Sequence, residues 1–235
     1  MLDVYIGYDP REAIAFDVLA HSIRRRASIP VTIRPLVQKE LRDKGLYTRE
    51  RGPTESTEFS MTRFLVPALA GYKGWSLFMD CDMLCRADIG SLFALRDNDK
   101  TVMVAKHDYV PKTQRKFLDQ VQTRYERKNW SSLMLFNNER CRALTPAYVN
   151  AATGLELHRF KWVEDGLIGA LPTEWNWLVT EYDYAPAAKI VHYTLGGPWF
   201  EPYRSCDYAA EWFAERDSST RSREAPPLTS TKRNS

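Results

Sequence analysis

The stretch "LFMDCDMLC", residues Leu77 to Cys85, decides how this chain is read. Leu77, Phe78 and Met79 run straight into Asp80, Cys81 and Asp82, and Met83-Leu84 turn apolar again. A short apolar run of this kind reads as a buried strand. A buried carboxylate costs several kcal/mol unless a hydrogen-bonded turn, a basic partner or a metal ion compensates it. In extended chain, side chains two positions apart project to the same side. Asp80 and Asp82 therefore face one way, and Cys81 faces the other as a small core residue. Two carboxylates on one side repel unless a cation lies between them. Hard divalent ions such as Mg2+ and Mn2+ take oxygen ligands, and bind through one or two carboxylates together with substrate phosphates. The alternative is a turn whose acids cap nearby backbone, the use expected of Asp88 ahead of a short helix to Leu95.

Around this stretch the chain alternates. Leu2 to Tyr8 reads as a strand. Asp9, Pro10 and Glu12 read as a helix start, with Asp9 as N-cap, Pro10 in the first position and Glu12 closing a capping box. Ala15, Val18, Leu19, Ser22 and Ile23 then follow at helical spacing to about Arg26. Val31 to Val37 is a second strand, and residues 38–55 form a charged excursion holding Gly52-Pro53. A helix is expected over about 57–70. Its apolar stripe is Met61, Phe64, Leu65, Ala68 and Leu69, with Ser56, Ser60 and Arg63 on the other side. Further strands are expected at 75–79, 101–106, 131–136 and 189–193, and helices at 138–152 and 163–171. This alternation predicts an α/β fold, a single mostly parallel mixed sheet flanked by helices. Ligands of such sheets bind beyond the carboxyl ends of the strands. "GYDPRE", "DCDM" and "HYTLGGPW" fall at such ends. His192 opens the last of these and is a candidate third metal ligand. Gly196 and Gly197 would let backbone N–H groups approach an anion.

Composition sets the outer bounds. A chain of 235 residues with 44% apolar content suits one α/β domain with a real core. A net charge of +3 makes no case for nucleic acid. No apolar run approaches bilayer length, and "MLDVYIGYDPRE" lacks the pattern of a secretory signal. Cys81, Cys85, Cys141 and Cys206 match no zinc spacing, and a cytosolic chain keeps them reduced. The expected location is the cytoplasm, or the membrane periphery. Residues 1–216 are expected to form the domain, and the polar segment 217–235 a flexible tail.

The chain resembles the retaining family-8 glycosyltransferases, the group containing glycogenin and bacterial lipopolysaccharide galactosyltransferases. The anchors are "VYIGYD", "FSMTRFLVPAL", "LFMDCDML" with "ADIGSLFAL", "WSSLMLFNN", "FKWVEDGLIGALPTEWNW" and "HYTLGGPWF", which span Leu2 to Phe200. The resemblance implies a GT-A fold, the Rossmann-like fold of nucleotide-diphospho-sugar transferases. It implies transfer of a hexose from a UDP-sugar to a hydroxyl of a glycan, lipid-linked or protein acceptor, with retention. Mn2+ or Mg2+ would hold the diphosphate, on Asp80, Asp82 and His192. Gly7, Tyr8 and Asp9 match the strand end at the nucleoside, and Arg63 an arginine on the donor-side helix. Ser131 falls at the donor sugar, and Cys81, Gly196 and Gly197 in donor-binding segments. Glu164 and Asp165 match the family's Asp-Gln-Asp segment beside the anomeric carbon. There are departures. Gly197 stands where the family carries a diphosphate-binding lysine, with Lys189, Arg11 or Arg204 as possible substitutes. Val163 and Glu164 replace the first Asp and the Gln. Trp130 and Ser132 replace Asn and Gly of an Asn-x-Gly segment. A non-catalytic sugar-nucleotide or carbohydrate binder of the same fold is the second reading. A phosphatase of the haloacid-dehalogenase type, which also places Asp-x-Asp after an apolar strand, is the third. Two strand–helix units ahead of the acid pair argue against it.

Overall fold

The computed structural model describes residues 1–52, 55–108, 115–116, 120–121 and 126–224. The chain enters through β1 (Leu2–Gly7), a 3-10 turn at Pro10–Glu12, α1 (Ala13–Arg26), β2 (Val31–Leu36) and α2 (Gln38–Asp43). A 3-10 turn at Thr62–Leu65 then leads into α3 (Val66–Leu69), β3 (Trp75–Met79), β4 (Met83–Cys85), α4 (Ile89–Ala94) and β5 (Val102–Ala105). β6 (Arg115–Lys116) and β7 (Gln120–Val121) pair only with each other. β8 (Leu133–Asn137), α5 (Pro146–Ala151), α6 (Gly154–His158), β9 (Ile168–Leu171), β10 (Trp177–Leu178), β11 (Ile190–His192) and α7 (Ala209–Glu224) complete the order.

The main sheet has six strands in the order β2-β1-β3-β8-β5-β9. β1 lies parallel to β2 and β3, β5 lies parallel to β9, and β8 runs antiparallel between β3 and β5. Every residue of β8 and β5 is buried, as expected of strands covered on both faces. The single sheet expected from the sequence is joined by a second one. Three short strands, in the order β10-β11-β4, form a separate ladder that carries His192.

Prolines account for most of the shifted helix boundaries. The helix expected over 57–70 is broken, because Pro67 fits only a first turn and the α-helix begins at Val66. Pro146 likewise opens α5 behind a Thr145 cap, so 138–152 is not one helix. The expected helix over 163–171 is instead a 3-10 turn at Asp165–Leu167 followed by β9. Gly169 permits that strand, since a Cβ there would come within 2.9 Å of the Met103 side chain on β5. The first part of the segment expected as a tail is helical. Helix α7 continues through 217–224, held by Trp212 in the core and by Glu215, which faces His21 and Arg26 of α1. Residues 225–235 of the tail, and Pro53, lie outside the described residues. No described helix is long and apolar enough to cross a membrane, and all four cysteines are free thiols.

Candidate metal and donor site

β1 and β3 end side by side, with Ile6 opposite Met79. The chain leaves β3 at Asp80, whose N–H donates to the Ser132 carbonyl at 2.9 Å. It passes Asp82 and enters β4, where Met83 lies opposite His192 in the second sheet. The Tyr193 N–H donates to the Asp82 carbonyl at 2.9 Å and closes the ladder. One ligand atom from each of Asp80, Asp82 and His192 thereby lies within 4.8 Å of the others. His192 Nε2 is 3.3 Å from Asp82 Oδ1 and 3.9 Å from Asp80 Oδ2.

The imidazole is oriented from behind. Ser132 Oγ donates to the Asn129 carbonyl and accepts from Asn176 Nδ2 at 2.8 Å. That leaves Asn176 Oδ1, 3.1 Å from His192 Nδ1, as an acceptor. The proton therefore sits on Nδ1, and the Nε2 lone pair points to the carboxylates. Asn176, in "EWNW", is a residue the sequence reading missed.

Arg63 does not lie on a solvent face. It is buried, with Nη1 2.9 Å from Asp80 Oδ1 and donating at 2.9 Å to the Ser131 carbonyl. Its Nε donates to the Phe59 carbonyl, and its guanidinium lies over the Phe78 ring. Asp80 is thus partly neutralised, whereas Asp82 has no such cation. Asp82 Oδ1 is buried and makes no hydrogen bond among the described residues. Two carboxylates, one buried oxygen left over and an open imidazole nitrogen fit a divalent cation such as Mn2+.

The N-terminal turn borders this trio. Gly7 is required because a Cβ would stand 2.3 Å from the Phe59 ring. Tyr8 packs edge-on against Phe16. Asp9 accepts from the Arg11 backbone N–H at 3.0 Å, from the Arg11 guanidinium and from the Glu58 N–H. Burial pushes the Asp9 carboxyl up, but these bonds outweigh it and hold the pKa below the usual carboxylate range. Asp9 caps the turn at Pro10–Glu12 through the Arg11 N–H, but Glu12 returns no hydrogen bond to it, so the expected capping box is not completed. The Glu12 carboxyl is instead buried, and burial followed by repulsion from Asp82 and Asp9 pushes its pKa up to about 9.

Ser131 lies beside the acid end, its carbonyl accepting from Arg63 and its Oγ 2.7 Å from His158 Nδ1. Cys81 is fully enclosed in the core, and burial raises its thiol well above the usual range, so it is a packing residue rather than a donor contact. Gly196 and Gly197 have packing reasons of their own. Gly196 has φ +127° and lies under the Tyr203 ring, and a Cβ on Gly197 would fall 2.0 Å from the Trp199 ring. No lysine side chain fits there. Of the three substitutes, Lys189 pairs with Glu174 and Arg204 with the exposed Glu201, whereas Arg11 lies beside the site on Asp9.

Glu164 and Asp165 lie outside the group formed by Asp80, Asp82 and His192. Ile168 pairs with Val102, Val102 with Phe136, and Phe136 with Ser76. Ser76 lies roughly 13 Å down the strand from Asp80 at the usual rise per residue. Trp162 packs on Phe136, while Phe160 packs on Trp130, the residue before Ser131. Both acids are exposed ahead of β9, and Asp165 pairs at 2.7 Å with Arg127, whose guanidinium lies over the Trp130 ring.

Among curated relatives, Protein CDI of Arabidopsis thaliana is 49% identical over 221 residues, covering 91% of this chain and 85% of that protein. The chain belongs to the Protein CDI family. No protein-family model matches it. Among solved structures, the galactosyltransferase LgtC matches with TM-score 0.59 at 12% identity, over 92% of this chain and 95% of its own. The glycosyltransferase GlyE of Streptococcus pneumoniae matches with TM-score 0.61 at 14% identity, and the bifunctional glycosyltransferase WbbM with 0.61 at 17%. Each match covers 92% of this chain, which spans 61% of GlyE and 49% of WbbM. The fold is therefore that of the GT-A glycosyltransferases, and the resemblance to the family-8 enzymes holds at the level of fold.

Proposed function

We propose that this Protein CDI relative is a metal-dependent glycosyltransferase, moving a hexose from a UDP-sugar to an acceptor hydroxyl with retention. One observation carries the reading: Asp80, Asp82 and His192 converge within 4.8 Å at the carboxyl end of β3, in a GT-A fold. These three residues would hold Mn2+ or Mg2+. The cation would neutralise charge on the leaving diphosphate. Arg63 fixes Asp80, and Asn176 fixes the His192 ring. Gly7, Tyr8 and Asp9 border the nucleoside, Arg11 on Asp9 supplies a second cation besides Arg63, and Ser131 lies on the sugar side. The acceptor is a glycan, lipid-linked or protein hydroxyl. The protein works in the cytoplasm, where its thiols stay reduced.

A second reading, a binder without turnover, has two observations in its favour. Glu164 and Asp165 stand away from the metal trio, and Gly197 carries no cation. Incubating the protein with Mn2+ and a panel of UDP-sugars, with and without simple saccharide acceptors, separates the readings. UDP release that a chelator abolishes, and an α-linked product from an α-linked donor, are the expected results. Saturable donor binding without UDP release would establish the binder instead.

A further inference from the structure

Four carboxylates cluster where β1 and β3 end: Asp9, Glu12, Asp80 and Asp82. Two of them have cations. Arg11 takes Asp9 and Arg63 takes Asp80. Among the described residues, no arginine or lysine pairs with Glu12 or Asp82. Glu12 is only 4% exposed, and its carboxyl has no hydrogen bond or ion pair among the described residues. Its own backbone N–H is satisfied by the Asp9 carbonyl at 2.9 Å, so the local turn makes no use of the side chain. Arg11, the adjacent cation, is drawn to Asp9 and to the Ser56 carbonyl.

The packing of α1 aims this side chain. α1 lies along β4, with Ser22 Oγ accepting from the Cys85 N–H at 3.1 Å. The start of β4, next to Asp82, therefore lies toward the start of α1, next to Glu12. Asp82 is the foremost charge acting on Glu12. Two buried acids that repel each other are relieved either by a proton on one of them or by a cation that comes between them.

We propose that Glu12 is a fourth member, and the third acid, of the divalent-cation centre, an outer carboxylate that holds a water of the cation bound by Asp80, Asp82 and His192. It lies outside the group whose ligand atoms come within 4.8 Å of one another, which makes contact through a water the fitting mode. The inference rests on the metal site of the proposed function and extends it to a residue from a third segment of chain.

The test is a Mn2+ titration without donor, with free Mn2+ read by electron paramagnetic resonance. Glu12→Gln keeps size and removes charge. It should weaken Mn2+ binding about tenfold or more, the scale for losing an outer-shell partner. Glu12→Asp keeps the charge and should retain most of the affinity. Glu201→Gln removes an exposed remote acid and should overlay the native curve. Melting curves without metal keep the result readable: Glu12→Gln should melt no lower than native, since it removes repulsion. Two results overturn the proposal separately. If Glu12→Gln overlays native while Asp82→Asn loses Mn2+, Glu12 is a buried acid with no part in the centre. If native protein binds no Mn2+, the metal site itself falls, and this inference with it.

Discussion

Two regions of the molecule each carry a pair of acids, and the two pairs have opposite surroundings. At the carboxyl end of β3, Asp80 and Asp82 meet a buried histidine, a buried arginine and a third acid. Ahead of β9, Glu164 and Asp165 sit on an exposed turn, where Asp165 is 80% exposed and paired with Arg127. Both are short acidic clusters in the sequence. Water and one arginine satisfy the second, and such exposed pairs are worth about 0–1 kcal/mol. The first has an oxygen, Asp82 Oδ1, that makes no hydrogen bond among the described residues. Local acidity is therefore a weak sign of chemistry, and enclosure of charge without a partner is the stronger one.

The comparison breaks most readily at Asn176. Asn176→Leu removes the acceptor that fixes the proton on His192 Nδ1. We expect Mn2+ affinity to fall by about ten- to a hundredfold. Asn176→Asp, which still accepts that proton, should keep the affinity, and equal losses in both variants would show that the orientation of the ring is irrelevant.

A smaller effect is expected from His107, which follows β5 at the acid end. Burial, reinforced by His192, pushes its imidazole down to about 3. The folded state then holds fewer protons here than the unfolded state between about pH 6.5 and 3, so stability falls as pH drops through that window. The slope from this one group is roughly 1.4 kcal/mol per pH unit. Urea denaturation at pH 7, 6, 5 and 4 should show a shallower acid loss in His107→Gln than in native protein. Parallel profiles would mean that His107 titrates normally.

The smallest effects belong to the exposed pair. Glu164→Gln and Asp165→Asn should leave Mn2+ affinity and any UDP release within about twofold of native, and stability within about 0.5 kcal/mol. A hundredfold loss in either would reverse the placement argued from the strand register.

Much of the acid end was legible because its signals are local. An apolar run into Asp-x-Asp, and a histidine between a short strand and a glycine pair, are readable within a few residues. The errors arose where a local pattern had a non-local owner. Glu12 has capping-box spacing, but spacing carries no record of the pocket on its other side. Arg63 falls opposite the apolar stripe of the helix expected over 57–70 yet is buried, and Pro67 is the sign that this helix is not continuous. The residues 163–171 carry apolar groups that suit a helix or a strand. Pairing with β5, some 65 positions earlier, decides for the strand. Gly196 and Gly197 suggested anion contact, yet the rings of Tyr203 and Trp199 already require them.

The ladder between β4 and β11 also dates the site within the protein's synthesis. Met83 pairs with His192 more than a hundred positions later in the chain. At bacterial and eukaryotic elongation rates that stretch takes on the order of ten seconds to make. During this interval the nascent chain already carries Asp80, Asp82 and Glu12, but neither the histidine nor the strand that covers β4. Loop closure over such a span must precede any reward from the contact. The group of Asp80, Asp82 and His192 is therefore among the last parts of the domain to assemble, and a chain stopped short of Ile190 would present its acids with the edge of β4 bare.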